Sequence, residues 1–502
     1  MFRKKKASTI FFIIQLLSEI LLNFALIRSN MIPTRYLVLS VIAAIALLFV
    51  SWLLAFHNVD MKIRKQKTRR RTTAAVISLL TLLISLIGFI ALGKVGSTLH
   101  EISSGKTATS YVGVYVRAND PASKLKDARY YKFGYTKVFD AKNTVAAIDS
   151  MEDKLGTRPK SKNFDDVSKM IEALYNGDID ALVLNESYAE LIDGQDEYSD
   201  FHLKTKIIYE YEFESDAQSR GNKSINTDLS SFVFYLSGSD TTSKTLNGGR
   251  SDVNILMTIN TETREILLVN TPRDYYVPIS VSSSGARDKL THCGIYGTQC
   301  SMDTLGALYG TEVDYFARIN FTGFATLIDA VGGITVNADE AFQNSRDNPL
   351  LDGSHLVIKK GENTLNGAQA LGFARERMTV SGGDNARGVN QMKMITAVID
   401  KMSSVSTILK NYSDILDSLE GMFETDMPSK QITELVKMQL DDMSSWHIHS
   451  YAVSGYGGMG VTYSMPGANL YITTPDQSTV DHAAELISRV LAGEHISDED
   501  VL

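Results

Sequence analysis

The sequence predicts a membrane-anchored α/β protein in three parts: an N-terminal three-helix transmembrane anchor, a small α/β accessory domain, and a large three-layer α/β/α domain with a central mixed sheet. Three observations predict this architecture. Three long hydrophobic runs stand together near the N-terminus, short strand and helix patterns alternate after them, and from Leu229 the strands become longer and more hydrophobic. A chain of 502 residues is long enough for several such domains.

Residues 1–100 form the predicted anchor, with hydrophobic runs at about 7–27, 36–56 and 73–92. Each run has about the 20 residues that a helix needs to cross a bilayer. Basic residues precede the first run (residues 3–6) and separate the second from the third (residues 62–71), and such stretches stay in the cytoplasm. We therefore expect a multi-pass protein of the cell membrane, with a cytoplasmic N-terminus and an extracellular chain after about residue 93.

The first of these helices is unusually polar, because Gln15, Glu19 and Asn23 interrupt it. An interfacial amphipathic helix is the alternative, but it would push the basic loop outward, against the distribution of charge. We expect Glu19 to be paired within the helix bundle.

Residues 107–222 alternate between strand and helix patterns and predict the accessory domain. Residues 176–185 form a helix–turn–strand step that is common in α/β ligand-binding domains. No catalytic combination of residues occurs there, so the domain is interpreted as a spacer or a recognition module.

Residues 229–502 form the large domain, with its motifs in residues 229–402 and further helices and a strand in residues 403–502. Strands at 252–258 and 265–269 are predicted to pair through the short turn between them. Two later features receive no function: His447 and His449 share a predicted strand face without a third metal ligand, and the glycine-rich residues 456–460 are predicted to form a mobile turn.

Composition excludes some function classes. The formal net charge is -8, from 50 Lys and Arg against 58 Asp and Glu, which argues against a general coat for nucleic acid. Cys293 and Cys300 are the only cysteines, in a part of the chain where oxidation can occur. A disulfide and two unpaired thiols remain alternatives, and neither cysteine lies in a pattern typical of a nucleophile or a zinc site.

Acids and arginines gather in four clusters of the large domain, at predicted strand ends and turns: residues 237–240 with 249–252, residues 270–274, residues 288–292 and residues 373–391. Guanidinium groups bind phosphate oxygens, and carboxylates bind a hard cation such as Mg²⁺. A pyrophosphate bridged by a cation would use both. Each residue alone is more often part of a surface salt bridge, so the combination carries the prediction.

The motifs are Ser-Gly-Ser-Asp240, Gly-Arg250-Ser-Asp252, Thr-Pro-Arg273-Asp, Lys289-Leu-Thr-His292, and Arg375-Glu-Arg377 followed by Asp384, Arg387 and Gln391. In this order they resemble the LytR–CpsA–Psr family over residues 229–402, and the three-helix anchor with a small accessory domain resembles its capsule-type members. The resemblance implies an enzyme that binds a polyprenyl-pyrophosphate lipid in an apolar tunnel. It would transfer the attached glycopolymer, expected to be capsular polysaccharide, to peptidoglycan through a phosphodiester link and release polyprenyl phosphate.

The resemblance also implies roles for single residues. Asp240 and Asp252 correspond to the ligands of Mg²⁺, or of Mn²⁺ in its place. The residues that correspond to the pyrophosphate-binding set are Arg250, Arg273, Lys289, Arg375, Arg377, Arg387 and Gln391. Arg273 and Arg377 are expected to act in the transfer step. Asp384 is a candidate for positioning or deprotonating the acceptor hydroxyl, and an Asp384 that only pairs with a neighbouring arginine is the alternative.

Expected partners are therefore the polyprenyl-pyrophosphate-linked glycopolymer, the peptidoglycan acceptor, membrane lipids and other capsule-assembly membrane proteins. A second hypothesis is a regulator of capsule expression whose basic cytoplasmic loop binds DNA or a protein. No helix-turn-helix pattern supports it, and membrane topology already explains the loop. A third is a lipid carrier that binds pyrophosphate without turnover.

Overall fold

The computed structural model describes residues 2–57, 64–103, 109–137, 140–193, 198, 200–214, 229–239, 249–345, 350, 354–404, 414–415, 417–466 and 468–502. The chain forms two compact units. The first contains Met1–Ser103, Ser403–Asp417 and Met427–Ser444, and the second contains Ser104–Met402, Ser418–Asp426 and Ser445–Leu502.

The helices are, in chain order, α1 (Phe2–Ser29), α2 (Thr34–Phe56), α3 (Arg64–Ser103), α4 (Ala141–Leu155), α5 (Val167–Asn176), α6 (Glu186–Asp193), α7 (Phe201–Lys204), α8 (Leu290–Cys293), α9 (Thr298–Tyr309), α10 (Phe321–Ala330), α11 (Gly367–Arg375), α12 (Gly383–Met402), α13 (Ser429–Asp442) and α14 (Gln477–Leu491).

The strands are, in chain order, β1 (Thr109–Arg117), β2 (Lys132–Thr136), β3 (Lys160–Phe164), β4 (Ala181–Asn185), β5 (Thr205–Glu214), β6 (Ser231–Ser239), β7 (Val253–Asn260), β8 (Glu265–Asn270), β9 (Tyr276–Pro278), β10 (Arg287–Lys289), β11 (Tyr315–Asn320), β12 (Ile334–Ala338), β13 (Phe342–Gln343), β14 (Val357–Ile358), β15 (Gly361–Leu365), β16 (Phe423–Thr425), β17 (His447–Ala452), β18 (Gly455–Val461) and β19 (Asn469–Pro475).

In the first unit, α1, α2 and α3 are each long and apolar enough to cross a membrane, which confirms the three predicted spans. The helix α3 extends well beyond the predicted run at both ends. Polar side chains of α1 face the neighbouring helix: Ser78 Oγ donates to Gln15 Oε1 at 2.7 Å, and Gln15 Nε2 donates to Glu19 Oε1 at 2.9 Å. Glu19 is therefore paired with Gln15 of its own helix, and Gln15 in turn is bonded to Ser78 of α3.

The helix α13 also belongs to the first unit, although the sequence assigned all of residues 403–502 to the large domain. Arg35, in the first turn of α2, donates to the carbonyl oxygen of Leu440 at 2.9 Å. Lys437 Nζ donates to Asn30 Oδ1 at 3.2 Å, and Lys94 of α3 forms an ion pair with Asp417 at 2.6 Å. These polar contacts tie α13 and the segment before it to the anchor helices.

In the second unit, the accessory domain has a five-stranded sheet in the order β3-β2-β4-β1-β5. The strand β2 runs parallel to β3 and β4, and β1 runs antiparallel to β4 and β5. Alternate residues of β1 and β4 enter two separate buried clusters, one on each face of the sheet. The predicted α/β domain is therefore present, with helices on both faces.

The large domain is built on a six-stranded mixed sheet in the order β16-β11-β6-β7-β8-β17. The pairs β6–β11 and β8–β17 are parallel, and the other neighbours are antiparallel. The helices α9 and α14 cover one face through a buried cluster that includes Tyr235, Leu256, Leu305 and Leu486. The helices α10 and α12 pack against the sheet as well, through β11, β8 and β17. The predicted three-layer fold is confirmed.

A two-stranded ribbon, β18 paired with β19, lies where the sequence predicted only a mobile turn at residues 456–460. The glycines of this segment weaken the strand pattern of its sequence, but its backbone pairs with β19 along seven registered positions. The ribbon is attached to the large domain because Thr473 N donates to the carbonyl oxygen of Asp274 at 2.8 Å.

Candidate functional site

The first three predicted clusters meet at one edge of the central sheet. Since β6, β7 and β8 are antiparallel neighbours, the end of β6, the start of β7 and the end of β8 share that edge. Backbone hydrogen bonds connect the following loops: Asp252 N donates to Gly238 O at 2.9 Å, and Thr291 N donates to Arg273 O at 2.8 Å. The motif residues therefore stand on loops that the sheet holds in place.

The centre of the site is the ion pair between Asp252 and Arg273. Arg273 Nη1 donates to Asp252 Oδ1 at 2.6 Å, and the Asp252 side chain is almost fully buried. Burial alone would raise the pKa of Asp252, but Arg273 and Arg250 outweigh burial, with help from Arg387, and hold this pKa below its usual range. The carboxylate is therefore charged at neutral pH.

Arg387 reaches the same place from the first turns of α12. Its Nη2 atom lies 2.6 Å from Asp384 Oδ1, one helical turn earlier, and its side chain is largely buried. The next residue is Gly388, and a Cβ atom there would collide with the side-chain amide of Asn270 at the end of β8. The missing side chain lets α12 approach β8 closely, which brings Arg387 beside Asp252.

Lys289 enters the site through Asp274. Its Nζ atom donates to Asp274 Oδ1 at 3.0 Å, and Arg273 Nε lies 3.7 Å from the other oxygen of Asp274. Asp274 thus connects the two cations. The sequence places Asp274 within a motif but predicts no role for it.

The segment Arg375–Arg377 turns sharply at the end of α11, and Glu376 holds the turn. Glu376 is fully buried, and its Oε1 atom accepts from the backbone N–H groups of Arg377, Met378 and Thr379 at 3.1, 2.8 and 3.0 Å. Its Oε2 atom accepts from Ser345 N at 2.7 Å. Sequence reasoning missed this residue, because nothing distinguished it from an acid that balances the flanking arginines.

Arg375 and Arg377 are both exposed. Burial is the main cause that lowers the pKa of Arg387; Asp384 and Asp252 oppose it, and Arg273 and, least of all, Arg377 add to it. The guanidinium of Arg375 stacks on the ring of Phe321, 5.7 Å from its centroid. The side-chain amide of Gln391 is buried and donates to the backbone carbonyl oxygen of Ala374 at 3.4 Å, so in this structure it links α12 to α11.

Two metal ligands are expected, Asp240 and Asp252. Asp252 lies in the described part of the chain, and Asp240 lies outside it. Asp252 Oδ2 is buried and accepts no hydrogen bond from the residues that the structure describes. A negatively charged oxygen without a hydrogen-bond donor fits a hard cation. In the described part of the chain, no group of three or more His, Cys, Asp or Glu side chains could hold a metal ion. A cation at Asp252 would therefore need oxygens from outside this set, such as those of Asp240 and a phosphate.

The loop that carries Lys289 is held by a buried network. Asp288 is fully buried; its Oδ1 atom lies 2.6 Å from His292 Nδ1, and its Oδ2 atom accepts from Ser464 N at 2.7 Å. Ser464 precedes β19, so this network ties the ribbon to the site. The Asp288–His292 pair thus lies beside the site and holds the loop that carries Lys289.

The two cysteines flank a turn next to this network, and both thiols are free and buried. The hydrogen bond with Cys300 and then burial raise the pKa of the Cys293 thiol well above its usual value.

His449 has neighbours that the sequence did not reveal: its Nε2 atom lies 3.7 Å from Glu265 Oε2, and His495 Nδ1 lies 2.6 Å from Glu265 Oε1.

Taken together, the charges of Arg250, Arg273 and Arg387 all act on the buried carboxylate of Asp252, while Asp274 and Asp384 pair with Lys289 and Arg387. Arg377 and Lys289 add positive charge at the margin. A site rich in guanidinium groups suits a dianionic group such as a pyrophosphate diester, because guanidinium groups pair with phosphate oxygens in two-point contacts.

The LytR_cpsA_psr family matches residues 201–479 of the chain. A polyisoprenyl-teichoic acid–peptidoglycan teichoic acid transferase of Bacillus subtilis, TagU, is 36% identical over 180 residues, which are 36% of this chain and 55% of that protein. The TagU protein of Enterococcus faecalis is 32% identical over 219 residues, 43% of this chain and 67% of its own length. The chain thus spans about half the length of the first of these relatives and two thirds of the second.

Among solved structures, B. subtilis TagV aligns with 54% of this chain and 100% of its own, at 24% identity and a TM-score of 0.43. B. subtilis TagU aligns with 53% of this chain and 99% of its own, at 28% identity and a TM-score of 0.40.

Proposed function

Because the chain belongs to the LytR–CpsA–Psr family, we propose that it is a membrane-anchored transferase that attaches a glycopolymer to peptidoglycan. The donor is the polymer on a polyprenyl-pyrophosphate carrier, and the polymer is a capsular polysaccharide. The names of the relatives support the class of reaction, since both are called transferases of teichoic acid to peptidoglycan.

One observation carries the proposal: a buried, charged Asp252 lies among the guanidinium groups of Arg250, Arg273 and Arg387. A structural ion pair needs one cation for one anion. In the described part of the site, Asp252, Asp274 and Asp384 pair with Arg273, Lys289 and Arg387, and Arg250 and Arg377 add positive charge that an anionic ligand would neutralise. The two phosphates of the carrier would supply the negative charge.

The proposed step is a phosphoryl transfer. The oxygen of an acceptor hydroxyl on peptidoglycan attacks the phosphorus that carries the sugar, and the bond from that phosphorus to the bridging oxygen breaks. Polyprenyl phosphate leaves with the bridging oxygen, and the polymer keeps its phosphate as a phosphodiester. Arg273 and Arg377 would stabilise the charge that moves onto the bridging oxygen, since this reaction depends on charge neutralisation and positioning.

The hydroxyl proton needs an acceptor, and Asp384 is the candidate. It is about one third exposed and lies at the N-terminal turn of α12, against Arg387. A carboxylate oxygen in this position can accept a hydrogen bond from the acceptor hydroxyl and take its proton.

A divalent cation, Mg²⁺ or Mn²⁺, would be held by Asp252 and Asp240 and would neutralise phosphate charge when bound. The buried Asp252 Oδ2 supports this part of the proposal. Arg273 occupies the other oxygen of the same carboxylate and orients it.

The three-helix anchor would keep the site near a donor that is itself embedded in the membrane. We place the N-terminus in the cytoplasm and the chain after about residue 93 outside it. The basic residues 3–6 and 62–71 support this orientation, because such stretches stay in the cytoplasm. Reporter fusions within residues 62–71 and after Gly93 test it: an exported reporter active within 62–71 would reverse the orientation.

The function is tested by replacing Arg273 with Ala in cells and measuring wall-bound polymer. The expected result is loss of attachment with normal amounts of membrane-inserted protein, while Arg129→Ala in the accessory domain leaves attachment intact. Normal attachment with Arg273→Ala would refute the proposal. Measuring capsule-gene transcription in the same cells separates this function from the regulatory hypothesis.

A further inference from the structure

The ribbon of β18 and β19 carries an exposed apolar surface that has no role in the proposed transfer step. On one face of the ribbon, alternate residues place Met459, Val461 and Tyr471 together, with exposed fractions of 60%, 52% and 53%. Surface patches of this kind mark interaction sites when their members are contiguous. Met459 and Tyr471 are directly opposite each other on the two strands.

The ring of Tyr471 lies over Gly457, which stands two residues before Met459, the cross-strand partner of Tyr471. A Cβ atom on Gly457 would lie 2.6 Å from Tyr471 Oη, so a side chain at position 457 would displace the ring. Part of the ring therefore covers Gly457, and about half of the Tyr471 side chain is exposed to solvent. This is the arrangement of an aromatic platform for a flat ligand.

The opposite face of the ribbon is anchored. Leu470 and Ala468 pack against a buried cluster of the accessory domain, together with Met465. Ile472 is also buried. The accessory domain therefore packs against this face of the ribbon and holds the exposed face in position.

The ribbon is also continuous with the candidate site. Thr473 N donates to the carbonyl oxygen of Asp274, next to Arg273, and Tyr276 Oη donates to the carbonyl oxygen of Val461 at 2.8 Å. A ligand on the platform would thus extend from the place where the donor phosphates bind. No charged residue occurs from Gly455 to Pro475.

We propose that this face of the ribbon, with Met459, Val461 and Tyr471, binds the glycan strand of the peptidoglycan acceptor. The inference rests on the proposed function for the identity of the acceptor. A glycan strand is uncharged along its sugar backbone, and its sugar rings offer flat C–H faces that pack on an aromatic ring. The absence of charge on the ribbon matches this ligand, whereas a surface for anionic lipid would carry lysine or arginine.

The test uses full-length protein in detergent and its co-sedimentation with purified, insoluble peptidoglycan sacculi. Tyr471→Ala and Met459→Asp should each weaken binding about fivefold or more, since an aromatic contact contributes about 1 kcal/mol. Tyr471→Phe keeps the ring and should bind like the native protein. Gly458→Asp is the matched control: it adds the same charge at the adjacent residue on the other face, where a Cβ atom would meet nothing within 4 Å.

Sacculus binding does not depend on turnover, so it succeeds or fails independently of the transferase proposal. Equal binding by the native protein, Tyr471→Ala and Met459→Asp would overturn the inference, as would an equal loss with Gly458→Asp or Tyr471→Phe. Vesicles of anionic phospholipid provide a second arm: loss of vesicle binding with unchanged sacculus binding would assign the face to lipid instead. In transfer assays the same variants should raise KM for the acceptor about fivefold and leave kcat unchanged.

Discussion

Replacing Glu376 with Ala tests how the arginine segment is positioned. The carboxylate is fully buried and accepts four backbone N–H groups, at 2.7 to 3.1 Å. Each hydrogen bond to a charged group contributes about 1.5–3 kcal/mol net. Arg377, Met378 and Thr379 are exposed, so water can replace some of these bonds after the substitution. We therefore expect a loss of about 3 kcal/mol rather than the sum.

A loss of this size lowers the melting temperature of a domain this large by about 6–12 °C. Glu376→Gln keeps an oxygen for the three amides of the turn but places an N–H group toward Ser345 N or leaves it unpaired. The melting temperature of Glu376→Gln should therefore lie between those of the native protein and Glu376→Ala. Differential scanning fluorimetry of the three proteins in the same detergent measures the three melting temperatures.

The same substitution should reduce transfer. Glu376 touches neither substrate in the proposed reaction, so its effect would come from the displacement of Arg377, and a misplaced group can cost about 100-fold in rate. A melting temperature of Glu376→Ala within about 1 °C of the native value, or native kcat in a variant that melts early, would refute this account of the turn.

Three further predictions follow from the site. Arg273→Ala should lower kcat about 10²–10³-fold, and Arg273→Lys should recover only part of it because lysine cannot form the two-point contact; equal activity of the Lys variant and the native protein would contradict the geometry. The folded-state pKa of Asp252 lies below its unfolded value, so its stabilisation is present above about pH 4 and is lost as the pH falls through the folded pKa. The free energy of unfolding of Asp252→Asn should consequently depend less on pH below about 4 than that of the native protein, and identical slopes would exclude this assignment. Cys293, buried and with a raised pKa, should resist alkylation by iodoacetamide in the folded protein and react after denaturation; rapid labelling of the native state would contradict its burial.

Much of the fold was predictable because its signals are local. The anchor helices follow from the length of their hydrophobic runs, and the hairpin of β7 and β8 follows from two hydrophobic strand patterns on both sides of a short turn. The ribbon was not predictable in this way. Its glycines suggest a turn, and its strands are fixed by pairing with each other and by packing of Leu470 against the accessory domain. The grouping of α13 with the anchor depends on contacts far apart in sequence, such as Arg35 with Leu440.

The site shows the same division. Residue types and motif order identified Asp252, Arg273 and Arg387, and the structure brings them together. The roles of residues between the motifs could not be inferred, because they depend on geometry. Glu376 and Gln391 have similar polar side chains in neighbouring motifs, yet one caps a turn and the other links two helices.

The most direct test of the central claim is to incubate purified full-length protein with a lipid-linked glycopolymer, peptidoglycan and Mg²⁺, and to identify both products. The account predicts one polyprenyl phosphate released for each polymer attached, with a phosphodiester in the wall product by ³¹P NMR. Release of polyprenyl pyrophosphate with a glycosidic link, or attachment without any release of polyprenyl phosphate, would contradict it.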